Sequence, residues 1–170
     1  MTRSLGARAR SLLLTTTLLA AVACLHQDTN SGVILHPTVR ATATPIAPGV
    51  YPVGGTVRRP NGNTVAVLEY AGPFPGAKSG VLVVAALIEG CADPTNTRPV
   101  RISITNIALE MSDQTKRPVV SGNRRSPAYT GKALKPRECE RGWLHFEYRS
   151  DEKPTYVVYE VNPPIRWKVG

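Results

Sequence analysis

Apolar and polar positions alternate with a period of two along the carboxy-terminal stretch of the chain. Leu144, Phe146 and Tyr148 alternate with His145 and Glu147, so a strand here turns one apolar and one polar face outward. The polar run Ser150-Asp151-Glu152-Lys153-Pro154 predicts a reversal. Tyr156 to Val161 is β-branched or aromatic at nearly every position, and Asn162-Pro163-Pro164 separates it from Ile165 to Val169. Three short strands result.

The same reading continues upstream. Val50 to Val57 is a strand pair around Gly54-Gly55, and Asn61-Gly62 marks a tight turn before a strand from Thr64 to Tyr70. Ala71-Gly72-Pro73-Phe74-Pro75-Gly76 breaks the pattern. Gly80 to Glu89, GVLVVAALIE, is the most apolar run outside the amino terminus and predicts a buried central strand. Pro99 to Ile104 alternates as a half-buried strand. Ile107 to Met111 and Arg117 to Val120 follow, with a turn at Ser112-Asp113-Gln114, and Ser121 to Arg141 reads as a polar loop. About eight or nine strands, without an amphipathic helix or an internal repeat, predict an all-β protein. Antiparallel strands with one wet face need a second sheet over the dry one, which makes a β-sandwich over residues 50–170 the expected architecture.

The first 49 residues follow another logic. Arg3, Arg8 and Arg10 precede the apolar run Ser11 to Ala20 and the small-residue site Ala21-Val22-Ala23. That is the plan of a cleaved signal peptide, 1–23. The apolar run is too short for a comfortable membrane span. The chain has 21 basic and 12 acidic side chains and a formal charge of +9. Losing three leader arginines leaves eighteen basic groups against twelve acids, a net plus six. Residues 24–49 are rich in Thr, Ala and Pro and predict a flexible tether. The apolar patch Val33-Ile34-Leu35 is too brief to predict structure, and His26 and His36 read as linker histidines.

Three cysteines remain to be placed. Cys24 follows Leu19-Ala20-Ala21-Val22-Ala23, which resembles the lipobox of bacterial lipoproteins, although alanine stands where leucine is the stronger choice. That resemblance implies a diacylglyceryl group on Cys24 and attachment to the outer face of the bacterial membrane. Two acyl chains suffice for lasting attachment. The alternative is ordinary cleavage after Ala23, giving a freely secreted chain. An odd count in an exported chain has one thiol to explain. Pairing Cys91 with Cys139 and lipidating Cys24 explains it, the alternative being two free thiols. An oxidising address favours the bond.

Val53-Gly54-Gly55-Thr56-Val57, GVLVVAALIEG, Asn106-Ile107-Ala108-Leu109, Leu134-Lys135-Pro136 and Gly142-Trp143-Leu144-His145-Phe146-Glu147 together resemble a bacterial extracellular immunoglobulin-like family. The chain is similar in plan to a small secreted mycobacterial antigen of that fold. The resemblance covers about residues 50–170 and departs from the usual pattern at Cys91-Ala92-Asp93-Pro94-Thr95-Asn96. It implies a fold and an extracellular address, and brings no catalytic residues.

Little chemistry is written in the chain. It has no G-x-S-x-G elbow, no C-x-x-C, no calcium loop, no P-loop and no dinucleotide fingerprint. No cofactor or metal is expected. His145 is the single candidate base, placed by alternation on an outward face beside Glu147. A hydrolase using it with Ser121 or Ser126 is the weaker alternative to a non-enzymatic binding or structural module. Arg124, Arg125, Lys132, Lys135, Arg137 and Arg141 fall within eighteen residues and are the candidate polyanion-binding set. The expected partner is an unknown protein or an anionic envelope polymer, and the address disfavours nucleic acid.

Overall fold

The computed structural model describes residues 42–121 and 125–170, and the backbone of residues 33–35. The leader, Cys24, His26, His36 and Arg124 lie outside the described residues. Among those described are ten strands and a single 3-10 turn, Ile104–Asn106.

The first sheet is built on β5 (Val81–Cys91), flanked by β4 (Thr64–Pro75) and β8 (Glu138–Arg149), with β3 (Thr56–Arg58) beyond β4. β5 is central and largely buried, as its apolar run requires. The second sheet runs β2 (Val50–Pro52), β10 (Ile165–Lys168), β9 (Pro154–Tyr159), β6 (Ile107–Met111) and β7 (Lys116–Val120). β7 belongs to both. Its residues Lys116 to Pro118 pair with β6, and Val119 and Val120 pair with Phe146 and His145 of β8. Pro118, lacking an N–H, occupies the point of exchange, where a continuous ladder would be broken anyway. The two sheets are thus one curled sheet folded over a shared core. Val67, Val84 and Phe146 meet Leu109, Val157 and Trp167 there. Burial of such side chains contributes roughly 1.5–3 kcal/mol each relative to exposure. The Trp167 indole N–H also donates to the Gly55 carbonyl at 2.9 Å, pinning β10 to the turn before β3.

The strand layout departs from the sequence expectations at five places. β4 runs through Ala71–Pro75 instead of breaking, because register shifts around Leu68 and around Gly72-Pro73 absorb the irregular residues. Pro99 to Ile104 keeps its alternating burial but pairs only through a bridge between Val100 and Leu134. β8 begins at Glu138, inside the stretch read as loop. The sandwich is not wholly antiparallel, since β10 and β2 are parallel. Finally, parts of the 24–49 stretch are paired. β1 (Val33–Leu35) lies antiparallel to Glu138–Glu140, and the Ala43 N–H donates to the Thr56 carbonyl at 2.7 Å.

β8 therefore has a patchwork second edge. β1 covers Glu138 to Glu140, the loop at Pro127 to Tyr129 covers Trp143, and β7 covers His145 and Phe146. Every stretch of that edge would otherwise present open backbone groups, the usual liability of an edge strand.

Candidate functional site

The cysteine pair comes together as the sequence predicts, with a feature the sequence hides. Cys91 and Cys139 stand directly opposite each other on β5 and β8, with Cα atoms 4.0 Å apart, and are disulfide-bonded. The bond staples neighbouring strands of one sheet and does not join the two sheets. Closing a loop across a separation of 48 residues stabilises the fold by about 4 kcal/mol in the chain-entropy account.

Beside this staple lies a buried polar knot. The Asp93 carboxylate accepts from the backbone N–H of Thr95 at 2.8 Å, from the Thr95 hydroxyl, and from the Arg58 guanidinium at 2.8 Å. Those Thr95 bonds, followed by the Arg58 charge, hold its pKa below the usual carboxylate range. Asn63 accepts from the Asp93 N–H and from the Asn96 amide. The knot closes the β5 exit and leaves no donor set open. Among the described residues no three His, Cys, Asp or Glu side chains gather as a metal site.

The basic cluster divides in three. Arg124 lies outside the described residues. Arg125 and Arg141 are engaged in the fold. The Arg125 guanidinium sits 4.5 Å from the Trp143 ring centroid and 5.8 Å from that of Phe74, with Glu69 at 3.2 Å. Arg141 binds Glu89, its cross-strand partner on β5, with Nε at 2.9 Å. Lys132, Lys135 and Arg137 are exposed, and none has a side-chain hydrogen bond or ion pair among the described residues.

Two arginines that the sequence reading missed join these three. Val100 and Leu134 exchange backbone hydrogen bonds of 2.9 and 2.8 Å, an isolated antiparallel bridge that brings the segment around Arg98 and Arg101 beside the one around Lys132 and Lys135, with Arg137 in the turn that follows. Leu134 is fully buried, so Lys135 beside it points outward by alternation. Arg98 and Arg101 are exposed and likewise without side-chain partners among the described residues. The bridge is a contact across more than thirty residues of sequence, and no local signal announces it. The result is a ribbon of five cations without side-chain partners among the described residues, Arg98, Arg101, Lys132, Lys135 and Arg137.

Two glutamates anchor the ribbon to β8. The buried carboxylate of Glu140 accepts from the Thr130 N–H and hydroxyl, both at 2.6 Å, and from the Lys132 N–H at 3.1 Å. Glu138 accepts from the Lys135 N–H at 2.8 Å. Tyr129 between them is buried, its hydroxyl directed at the Ile102 carbonyl. Burial first, and the Glu140 charge second, push its pKa up.

His145 is placed differently from expectation. It is 2 % exposed, not on a wet face. β7 and the 127–129 loop close over the edge of β8 at this point. Glu147 lies past the place where β7 turns away toward the second sheet, and is exposed. His145 lines a cavity of about 510 Å³ with Ile107, Val119, Ser121, Tyr129 and Trp143. No carboxylate lines it, and Ser126 lies elsewhere, on the exposed loop. A serine–histidine–carboxylate relay is therefore not assembled among the described residues.

No protein-family model matches the chain, and comparison with curated proteins finds no match. Among solved structures, the chain is similar to MPT63, a secreted protein from Mycobacterium tuberculosis. The TM-score is 0.53 at 17% identity, over 75% of this chain and 100% of that one. It is also similar to YcdA of Bacillus subtilis, described as a candidate lipoprotein, with a TM-score of 0.49 and 16% identity. That likeness covers 63% of this chain and 36% of YcdA, so the chain spans about a third of that protein's length. At 17% identity the likeness to MPT63 speaks for the fold and not for an activity.

Proposed function

We propose that this chain is an exported, lipid-anchored, immunoglobulin-like β-sandwich that works by binding and not by catalysis, on the outer face of a bacterial membrane. The observation that carries the reading is the Cys91–Cys139 bond. A cystine persists outside the reducing cytoplasm, and its use of two of the three cysteines singles out Cys24. Cys24 stands directly behind a signal-peptide-like leader with a lipobox-like end, where acylation would anchor the sandwich without a transmembrane helix. Among the described residues no helix is long and apolar enough to cross a membrane, which leaves strand-built spans unaddressed. The binding surface is the cationic ribbon, and its target an anionic component of the envelope.

Intact-mass measurement of the protein from the membrane fraction tests the anchor. A diacylglyceryl adduct on a mature chain starting at Cys24 is expected, and Cys24→Ser should release the protein to the soluble fraction. A bare Cys24, or undiminished membrane retention of Cys24→Ser, would overturn it.

A further inference from the structure

We infer that the ribbon of Arg98, Arg101, Lys132, Lys135 and Arg137 docks on the anionic headgroups of the membrane that carries the chain's own anchor. The inference rests on the reading of Cys24 as acylated, and two observations carry it.

The first is the length of the leash. A tether free from Cys24 to Val50 has 26 residue steps and reaches up to about 90 Å when extended. Pairing of Val33 with Glu140 on β8 ends it early. Only nine steps separate Cys24 from Val33, a reach of at most about 30 Å. The domain is therefore held close to its lipid by one particular edge.

The second is what stands at that edge. Val33 lies opposite Glu140, whose carboxylate holds the backbone of Thr130 and Lys132. Leu35 lies opposite Glu138, which holds the backbone of Lys135 and directly follows Arg137. The leash thus enters the fold within a residue or two of the ribbon's cations. Nearby acids are already committed. Glu140 is buried against backbone donors, Glu138 serves Lys135, Asp93 holds Arg58, and Glu89 holds Arg141. Five cations are left facing solvent at the anchored end.

Exposed charges act over only about 8 Å at physiological ionic strength, so such a patch engages a surface only if held against it. An acyl anchor on a short leash does this by raising the local concentration of headgroups, and lipid plus a basic patch is a two-signal attachment. A polymer elsewhere in the envelope would gain nothing from the shortened leash. For that reason the membrane, and not a polymer, is the assigned partner.

Vesicle binding by the full chain carrying Cys24→Ser tests the ribbon without the acyl group. Binding to phosphatidylglycerol-containing vesicles is compared with binding to pure phosphatidylcholine for each variant, and the leader with its three arginines is common to all of them. The anionic preference should fall about fivefold for each cation removed and, with all five changed to glutamate, drop to no more than the three leader arginines give. It should also weaken as salt rises. Lys78→Glu with Lys153→Glu, exposed positions at the opposite end of β5 and β8, should leave it unchanged. An equal loss in that control, or a full preference in the five-site variant, would overturn the inference. So would tighter binding of soluble poly(glycerol phosphate) than of vesicles at equal phosphate. A bare Cys24 in the native protein removes the shared anchor and is read by mass. A failed ribbon is read by vesicle preference, so the two failures are told apart.

Discussion

Gly142 shows how much one position can hold. A β-carbon there would lie 2.3 Å from the Tyr129 nitrogen, 2.5 Å from the Ala128 carbonyl carbon and 2.6 Å from the Tyr129 Cα. All three are backbone atoms that cannot step aside without undoing the pairing of the 127–129 loop with Trp143. At Gly90 the nearest atoms are instead the ends of side chains, Ile102 Cδ1 and the Tyr129 hydroxyl, each at 2.6 Å. Gly142→Ala should therefore destabilise the fold by about 3 kcal/mol and Gly90→Ala by nearer 1 kcal/mol, as read by urea unfolding. Equal losses would contradict the tight crossing of the loop. The sequence showed Gly142 only as the start of an alternating strand. It placed His145 on the correct face of that strand but could not show that β7 and a loop, both remote in sequence, cover the face. The same limit hid Arg98 and Arg101, because a cation's neighbours across a bridge are set by topology and not by spacing.

Strands were legible where the pattern was strong and uninterrupted. β5, β6, β7, β9 and β10 fall close to where alternation and apolar runs predict them, and the Gly54-Gly55 and Asn61-Gly62 turns separate β2, β3 and β4. The errors share one cause. Bulges and isolated bridges carry a chain through residues that read as breaks, and a three-residue strand is too short to show a period. β1 is the clearest case. The Ala92 N–H donates to the Glu138 carbonyl at 2.9 Å, so Glu138 turns its carbonyl toward β5. By the alternation of an antiparallel ladder, Cys139 turns its own N–H and C=O toward Ile34. Ile34→Pro removes the N–H that faces the Cys139 carbonyl, and its ring obstructs the strand on which the Cys139 N–H depends. Amide exchange at Cys139 should then quicken by at least tenfold, while the amides of β5 keep their protection. Unchanged exchange at Cys139 would mean that β1 does not hold this edge in solution, and the 30 Å reach inferred from it would lapse with it.

At the scale of the molecule, β7 decides whether the two sheets behave as one. It pairs with β6 and β8 in turn, and the core under it draws apolar side chains from both sheets. Neither sheet can bury its apolar face without the other, and the disulfide stiffens only the first. The chain should therefore lose both sheets in one cooperative step. Its two tryptophans make this measurable. Trp143 lies on β8, 8 % exposed under Arg125, and Trp167 lies on β10, 1 % exposed in the shared core. Trp143→Phe leaves a probe in the second sheet, and Trp167→Phe leaves one in the first. Trp167→Phe also loses the bond to the Gly55 carbonyl and should be less stable by about 1 kcal/mol. Each variant's fluorescence must accordingly be compared with its own far-ultraviolet dichroism. Coincident midpoints within each variant are expected. Were the Trp143 signal to persist after the dichroism of the other strands had gone, the disulfide-stapled sheet would be a unit by itself, and β7 a strand resting against it, not the strand that closes the fold.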